Sequence, residues 1–406
     1  VSGYWDDTAP GSTVADVPTA LIAPAAPKTI TTVTAAMSVQ VAAVIPLFLF
    51  GGLAVQIAAE LGMGVSTIGW VTGLYFGVSA ATTVPAGRLV DRFGALVTAR
   101  VAVALSATAL LGIALAAYEP WALTLFLVLC APANGLGQLA SNVVLTTWAP
   151  VGRRGLLFGA KQASVPLCIM LGGLSVPAVA LTLGWRWAFG FGAVLVLCAL
   201  IPLAGLGKPE VRPRVKGARS FDGTLLLFAV ATCLGASAAT PIGSFLTTYT
   251  VDIGGSESYA GLVLTIGGIA GIIGRTGAGA LGDRKRGSDF TVITFMLAGG
   301  AAGVATFLFE LPWLMPLGAV AAYGLGWAWP GLMNHAVTKR YADAPALATS
   351  VTQTGIFLGG VFGPIGIGLI FEHAGWSAGW ITVVGCMAAS ALFIVLGSTL
   401  AKRRAH

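Results

Sequence analysis

Residues 85–94 read PAGRLVDRFG, and Arg88, Asp91 and Arg92 in that stretch place three charges in a chain whose 406 residues are only 9% charged. A related stretch, GAGALGDRKRG, begins at residue 277. Around both, 56% of residues are hydrophobic, 56 are glycine, and the mean hydropathy is +0.89. Soluble globular domains do not have such a composition. The chain therefore reads as an integral membrane protein, and the two charged stretches as turns where it leaves the hydrocarbon.

Apolar runs of about 20 residues suffice to cross a bilayer as helices. Twelve are present, near 31–57, 65–88, 95–117, 120–148, 156–182, 185–206, 222–250, 257–281, 289–308, 312–337, 345–372 and 376–400. They are too long and too uniformly apolar for barrel strands, so an all-α fold is expected. Residues 1–28, rich in Pro, Ala and Asp, read as a loose cytoplasmic tail and not as a signal peptide. The longest polar interruption, 207–220, reads as a cytoplasmic linker between six-helix bundles at 29–206 and 221–400, with a short cytoplasmic tail at 401–406.

Lys and Arg collect in cytoplasmic loops. With the N-terminus inside, the inner connections and tail hold nearly all the basic residues, among them Arg88, Arg92, Arg153, Lys208, Arg284, Lys339 and Arg403. The outer connections hold only Arg186, against Glu60, Glu119, Asp252, Glu257, Glu310 and Glu372. Both termini are thus expected in the cytoplasm, with the protein in the cell membrane. The net charge of +7 follows from this topology and calls for no nucleic-acid partner. The five cysteines fall within helical runs without paired spacing, which suggests neither disulfides nor a metal site. No cofactor is expected.

The two halves resemble each other. Gly87, Leu89, Asp91 and Arg92 recur as Gly279, Leu281, Asp283 and Arg284 at an offset of 192, and Asn142 recurs as Asn334. Gln162, Gly184 and Trp185 recur as Gln353, Gly375 and Trp376 at 191. A constant spacing over separate landmarks points to a duplicated six-helix unit, and two parallel repeats are a transporter architecture.

GRLVDRFG after the second helix resembles the signature loop of the major facilitator superfamily, and GALGDRKRG its degenerate copy after the eighth. The resemblance spans the chain from about residue 30. It implies twelve transmembrane helices in two pseudo-symmetric bundles, alternating access, and a gate. Asp91 would sit near the start of the eleventh helix, where the helix dipole favours a carboxylate, and Arg92 would pair nearby to hold the inside shut. Gly87 would permit close helix approach and Gly94 would turn the chain, with Asp283 and Arg284 as the weaker counterpart. Ala95 and Leu96 stand where the family commonly has further basic residues, which weakens the electrostatic part of this gate.

By the same resemblance, helices one, four, seven and ten line the path. The fourth carries Asn134, Gln138, Ser141 and Asn142 on one helical face, and the seventh carries Ser237, Thr240, Ser244 and Thr248 at similar spacing. Tyr323, Trp327 and Asn334 form a stripe on the tenth. Such residues also glue membrane helices together, but stripes on three lining helices suit a wetted path.

Ionisable groups inside a membrane are costly and point to function. Lys161 in the fifth run and Arg275 in the eighth stand out. Their alternatives are snorkelling for Lys161 and packing against backbone carbonyls for Arg275. A buried Arg in the eighth helix resembles the monocarboxylate, oxalate/formate and nitrate branches of the superfamily, and KQASVPL resembles cyanate-permease-type segments. Two such cations would favour an anion between them, with Gln162, Gln353, Asn134, Gln138 and Asn334 discriminating by neutral hydrogen bonds and Tyr75 and Trp327 setting the width.

The runs contain no Asp or Glu near their midpoints, and the fifth lacks the Gly-Pro antiporter signature, so cationic-drug efflux loses ground. No catalytic motif links the three scattered histidines, which argues against an enzyme. The expectation is a monomeric secondary transporter for a small organic anion, coupled to protons carried on the anion or on His335. Efflux of neutral or hydrophobic compounds, anion exchange, and a helix-packing role for His335 remain the alternatives.

Overall fold

The computed structural model describes residues 29–148, 154–206, 222–283 and 289–403. The 1–28 tail, the 207–220 linker, Arg284 and the last residues of the chain lie outside that set, as does the Asp283 side chain. The described residues are helical almost throughout and contain no strand. Lipid leaves backbone groups no partner but one another, and only helices or closed barrels satisfy that.

The first pass is Thr29–Gly52, extended after Leu53 by Ala54–Leu61. Val65–Phe93, Ala95–Ala116 and Pro120–Trp148 follow as second, third and fourth. The fifth joins Arg154–Gln162 to Ser164–Ser175 and ends in a π-helical turn, and the sixth starts as Trp185–Cys198. In the second half the passes are Gly223–Asp252, Glu257–Asp283 and Asp289–Ala305, then a tenth in pieces, Met315–Ala321 and Pro330–Arg340. The run Pro345–Arg403 breaks at Gly375 and supplies the eleventh and twelfth.

Nine helices among the described residues are each long and apolar enough to cross a membrane. The longest of them is the run divided at Gly375, and Val65–Phe93 and the interrupted tenth complete the twelve passes expected. The fold is that of an all-α, multi-pass membrane protein.

The duplication reappears as geometry. Gly184 (φ 97°) and Gly375 (φ 85°) make the same positive-φ turn 191 residues apart, which a Cβ would strain. Beside those turns Trp185 Nε1 donates to Glu60 Oε2 at 2.7 Å, and Trp376 Nε1 donates to Asp252 Oδ2 at 2.7 Å. One indole–carboxylate clasp has thus been kept in each half, at the end of the molecule that also carries Glu257, Glu310 and Glu372. Exposed Trp121, Trp187 and Trp313 ring this acidic end, as aromatic residues do at a membrane–water interface.

The halves meet closely there. A Cβ on Gly51 would collide with the Gly243 carbonyl, and one on Gly69 with that of Pro364. Small residues let the backbones approach where lipid supplies no hydrophobic drive. Gln56 Nε2 donates to Glu257 Oε2 at 2.5 Å, the Ser66 N–H to Glu372 Oε2 at 2.8 Å, and Thr247 Oγ1 to the Gly51 carbonyl at 3.0 Å.

Candidate substrate-binding cavity

Between the halves lies a cavity with about 710 Å³ of space free of protein atoms, open solvent included. Gln40, Asn134, Gln138, Gln162, Arg275 and Gln353 supply its polar wall, and Phe48, Tyr75, Phe76, Trp327, Ile356 and Phe357 much of the apolar one. Along the first pass the lining changes from Gln40 to Phe48, so the amides lie toward the Asp91 end and the aromatics toward the acidic end. Phe48 and Trp327, from opposite halves, approach to 5.8 Å between ring centroids, and Tyr323 stacks behind Trp327 at 5.7 Å. Past them is a small void where Thr72 Oγ1 and Ser244 Oγ stand 3.3 Å apart.

Arg275 is held by acceptors that two helix breaks release. The Gln162 carbonyl would ordinarily accept from the N–H of residue 166, but Pro166 has none. Arg275 Nη1 takes that carbonyl at 3.0 Å. The tenth pass loses helical geometry at Trp327 (φ −117°, ψ 8°) and resumes at Pro330. Its Trp327 carbonyl accepts from Arg275 Nη2 at 3.1 Å and from Nε at 3.3 Å. A side chain from the second half thereby ties the fifth pass to the tenth at the cavity wall.

Lys161 is 1% exposed, and its Nζ donates to Gln138 Oε1 at 2.7 Å and Asn142 Oδ1 at 3.0 Å. Because an ammonium only donates, it fixes the Gln138 carbonyl toward itself and leaves the NH₂ of Gln138 as the free donor end. Among the described residues neither Lys161 nor Arg275 is paired with a carboxylate, whereas Arg186 pairs with Glu60 and the His335 ring meets Asp289.

Seven of the nine substrate-site residues read from the sequence line the cavity: Arg275, Gln162, Gln353, Asn134, Gln138, Tyr75 and Trp327. Lys161 does not, because Gln138 and Asn142 hold it within the wall, one side chain behind the surface. Nor does Asn334, whose Oδ1 is buried without a partner, whereas its repeat mate Asn142 accepts from Lys161. His335 lies farther along the tenth pass with its Nδ1 3.2 Å from Asp289 Oδ2, away from the cavity lining. Tyr75 donates to the Ala43 carbonyl at 2.9 Å, which fixes its ring as a wall.

In the charged turn, Asp91 and Arg92 are exposed, Arg92 lies 5.2 Å from the Phe93 ring centroid, and Gly94 takes φ 83°. A Cβ on Gly87 would meet nothing within 4 Å. Among the described residues no helix approaches Gly87 closely; the second and eleventh passes touch at Gly69 and Gly73, nearer the acidic end. Sequence reading passed over Gln40, although a buried amide in an apolar run is a usable signal. It also passed over Phe48, Phe76 and Phe357, which look no different in sequence from lipid-facing phenylalanines.

The family model described as Major Facilitator Superfamily matches residues 30–346 and 225–405. The chain belongs to the major facilitator superfamily. It is similar to MFS-type transporters of Mycobacterium tuberculosis: 28% identity over 225 residues, covering 53% of this chain and 50% of the relative, and 30% over 152 residues, covering 37% and 26%. The matches thus span at most about half the length of those relatives. Among solved structures, a bacterial homolog of the human lysosomal transporter Spinster, in an inward-facing and occupied conformation, superposes with a TM-score of 0.65 at 18% identity, covering 91% of this chain and 96% of that one. A nucleoside transporter, NupG, gives 0.68 at 14%, covering 89% and 99%. At such identities the likeness is one of fold. The chain is a membrane-embedded, multi-pass member of a superfamily whose members are generally not enzymes.

Proposed function

We propose that this superfamily member moves a small organic anion, a carboxylate with an apolar body, by alternating access in symport with protons. One observation carries the reading: Arg275 stands in the cavity wall beside amides and aromatic rings, with no carboxylate among the described residues to balance it. A guanidinium offers a planar fork that suits a carboxylate, and the bound anion would compete with the Gln162 and Trp327 carbonyls for its N–H groups. The NH₂ of Gln138, aimed by Lys161, would add a neutral donor, while Phe48, Phe76 and Phe357 would take the apolar body.

Closure at the acidic end suits a carrier caught with that end shut. With the acidic end outside and the Asp91 end in the cytoplasm, of the cell membrane, Asp91 and Arg92 would act in the opposite state, and the monomer suffices. A second reading, carriage of neutral lipophilic compounds, draws on the aromatic share of the wall and on the carbonyls that already occupy Arg275. A thermal-shift screen of the purified protein separates the two. Stabilisation by carboxylates that Arg275→Ala abolishes supports the anion, whereas stabilisation by uncharged lipophiles alone, unchanged in that variant, sinks it.

A further inference from the structure

The transport reading leaves the proton without an assigned side chain, since the membrane passes have no mid-depth carboxylate and His335 stays beside Asp289 outside the cavity lining. Lys161 fits the task by its surroundings. Its partners, Gln138 and Asn142, sit one turn apart on the fourth pass and are both neutral. An ammonium has three donors, two of which they occupy. A neutral amine still has two N–H groups, so either protonation state satisfies both amides and neither forces them to move.

The charges facing Lys161 are few. Thr29–Gly52 of the first pass, packed on the fifth where Ser164 Oγ meets the Met37 carbonyl, and the fourth pass contain no Asp, Glu, Lys, Arg or His. The eighth brings Arg275, whose Nη1 bonds the carbonyl of Gln162, the residue next to Lys161, and carries Glu257 and Asp283 at its two ends. On the tenth, His335 is engaged by Asp289, and Lys339 and Arg340 lie at the far end. Two cations held so near each other in a low-dielectric wall are unfavourable until an anion joins them, and Arg275 stays charged throughout.

We propose that Lys161 carries the coupled proton, an inference that rests on the anion-symport reading. With a monoanion in the cavity Lys161 is an ammonium. After the anion leaves, one N–H bond breaks, the nitrogen keeps the electron pair, and the proton passes to water that reaches the amine past Gln138 and on to the solution. The next anion binds as the amine takes up a proton again. Anion and added proton cancel, so loaded and empty carriers cross with the same net charge, and a monocarboxylate moves electroneutrally with one proton.

The test uses full-length protein in liposomes, comparing wild type with Lys161→Arg, a cation that keeps its proton, and Lys161→Gln, a neutral side chain that cannot gain one. Two readings are taken for a labelled monocarboxylate: accumulation driven by an inward pH gradient, and exchange against internal carboxylate without a gradient. The ratio of accumulation to exchange should fall at least tenfold in both variants. In lightly buffered detergent solution the wild type should also take up about one proton per carboxylate bound, a measurement that needs no variant to fold. Gradient-driven accumulation at the wild-type ratio in both variants, or carboxylate binding without proton uptake, overturns the assignment of Lys161. A wild type that neither accumulates nor exchanges carboxylate instead fails the anion reading itself.

Discussion

Arg275 and Lys161 were legible in the sequence as charges in apolar runs, because burying a charge is costly enough to demand a reason. What they touch was not legible. Arg275 binds backbone carbonyls, and which carbonyls are free depends on where helices break, not on residue type. Lys161 turned inward because two amides one turn apart were there to receive it. Arg275→Ala should weaken carboxylate binding at least tenfold, in line with the ~1.5–3 kcal/mol of a hydrogen bond to a charged group, read by titration calorimetry. Asp91→Asn should slow transport severalfold in a flux assay while leaving that binding intact, since a latch shifts populations without forming the site.

The clasp at the acidic end makes a pH prediction. The hydrogen bond from Arg186 chiefly, helped by Trp185 against partial burial, holds the Glu60 carboxyl below its usual range. A lowered value means stability that is present above the ordinary carboxylate pKa, near 4.5, and is lost as pH falls through the folded one. Arg186→Gln should therefore lower the melting temperature slightly at pH 7, within the ~0.2–1 kcal/mol of partly exposed pairs, and the gap to wild type should close as the pH is taken well below the ordinary carboxylate value of 4.5.

For the helices, hydropathy located every pass to within a few residues, because the bilayer thickness sets their length. It could not show that the fifth and tenth are broken at the cavity. Pro166 and Pro330 were visible as residues, but proline is tolerated in membrane helices when other groups satisfy the freed carbonyls, so its presence alone marks no break. Here Arg275 is the satisfying group for Gln162. Pro166→Ala restores an N–H that reaches the Gln162 carbonyl and releases one arm of Arg275. Carboxylate should then bind severalfold more tightly, because the anion no longer competes with that carbonyl. Unchanged affinity in a folded variant would remove the strap from the account.

Across the molecule the two halves share a frame and differ in charge. The clasps of Trp185 and Trp376 and the turns at Gly184 and Gly375 repeat, while Lys161 is matched by Thr352 and Arg275 by Thr83 at the repeat spacing. Duplication was readable because glycine, tryptophan and the charged turn survive where geometry needs them. The cavity's lining was only partly readable, since it takes single residues from many passes. Closure at the acidic end rests on contacts such as Gly51 against Gly243. Gly51→Val should hold the halves apart there, so that a cysteine placed at Thr72 becomes more reactive to a water-soluble maleimide than in the otherwise native carrier. The account depends most on the anion itself. Uptake into liposomes of a small carboxylate and of its uncharged amide, for wild type and Arg275→Ala, tests it directly. The wild type should carry the carboxylate at least tenfold faster than the amide and lose that preference in the variant; amide uptake equal to carboxylate uptake, in both proteins, would contradict it.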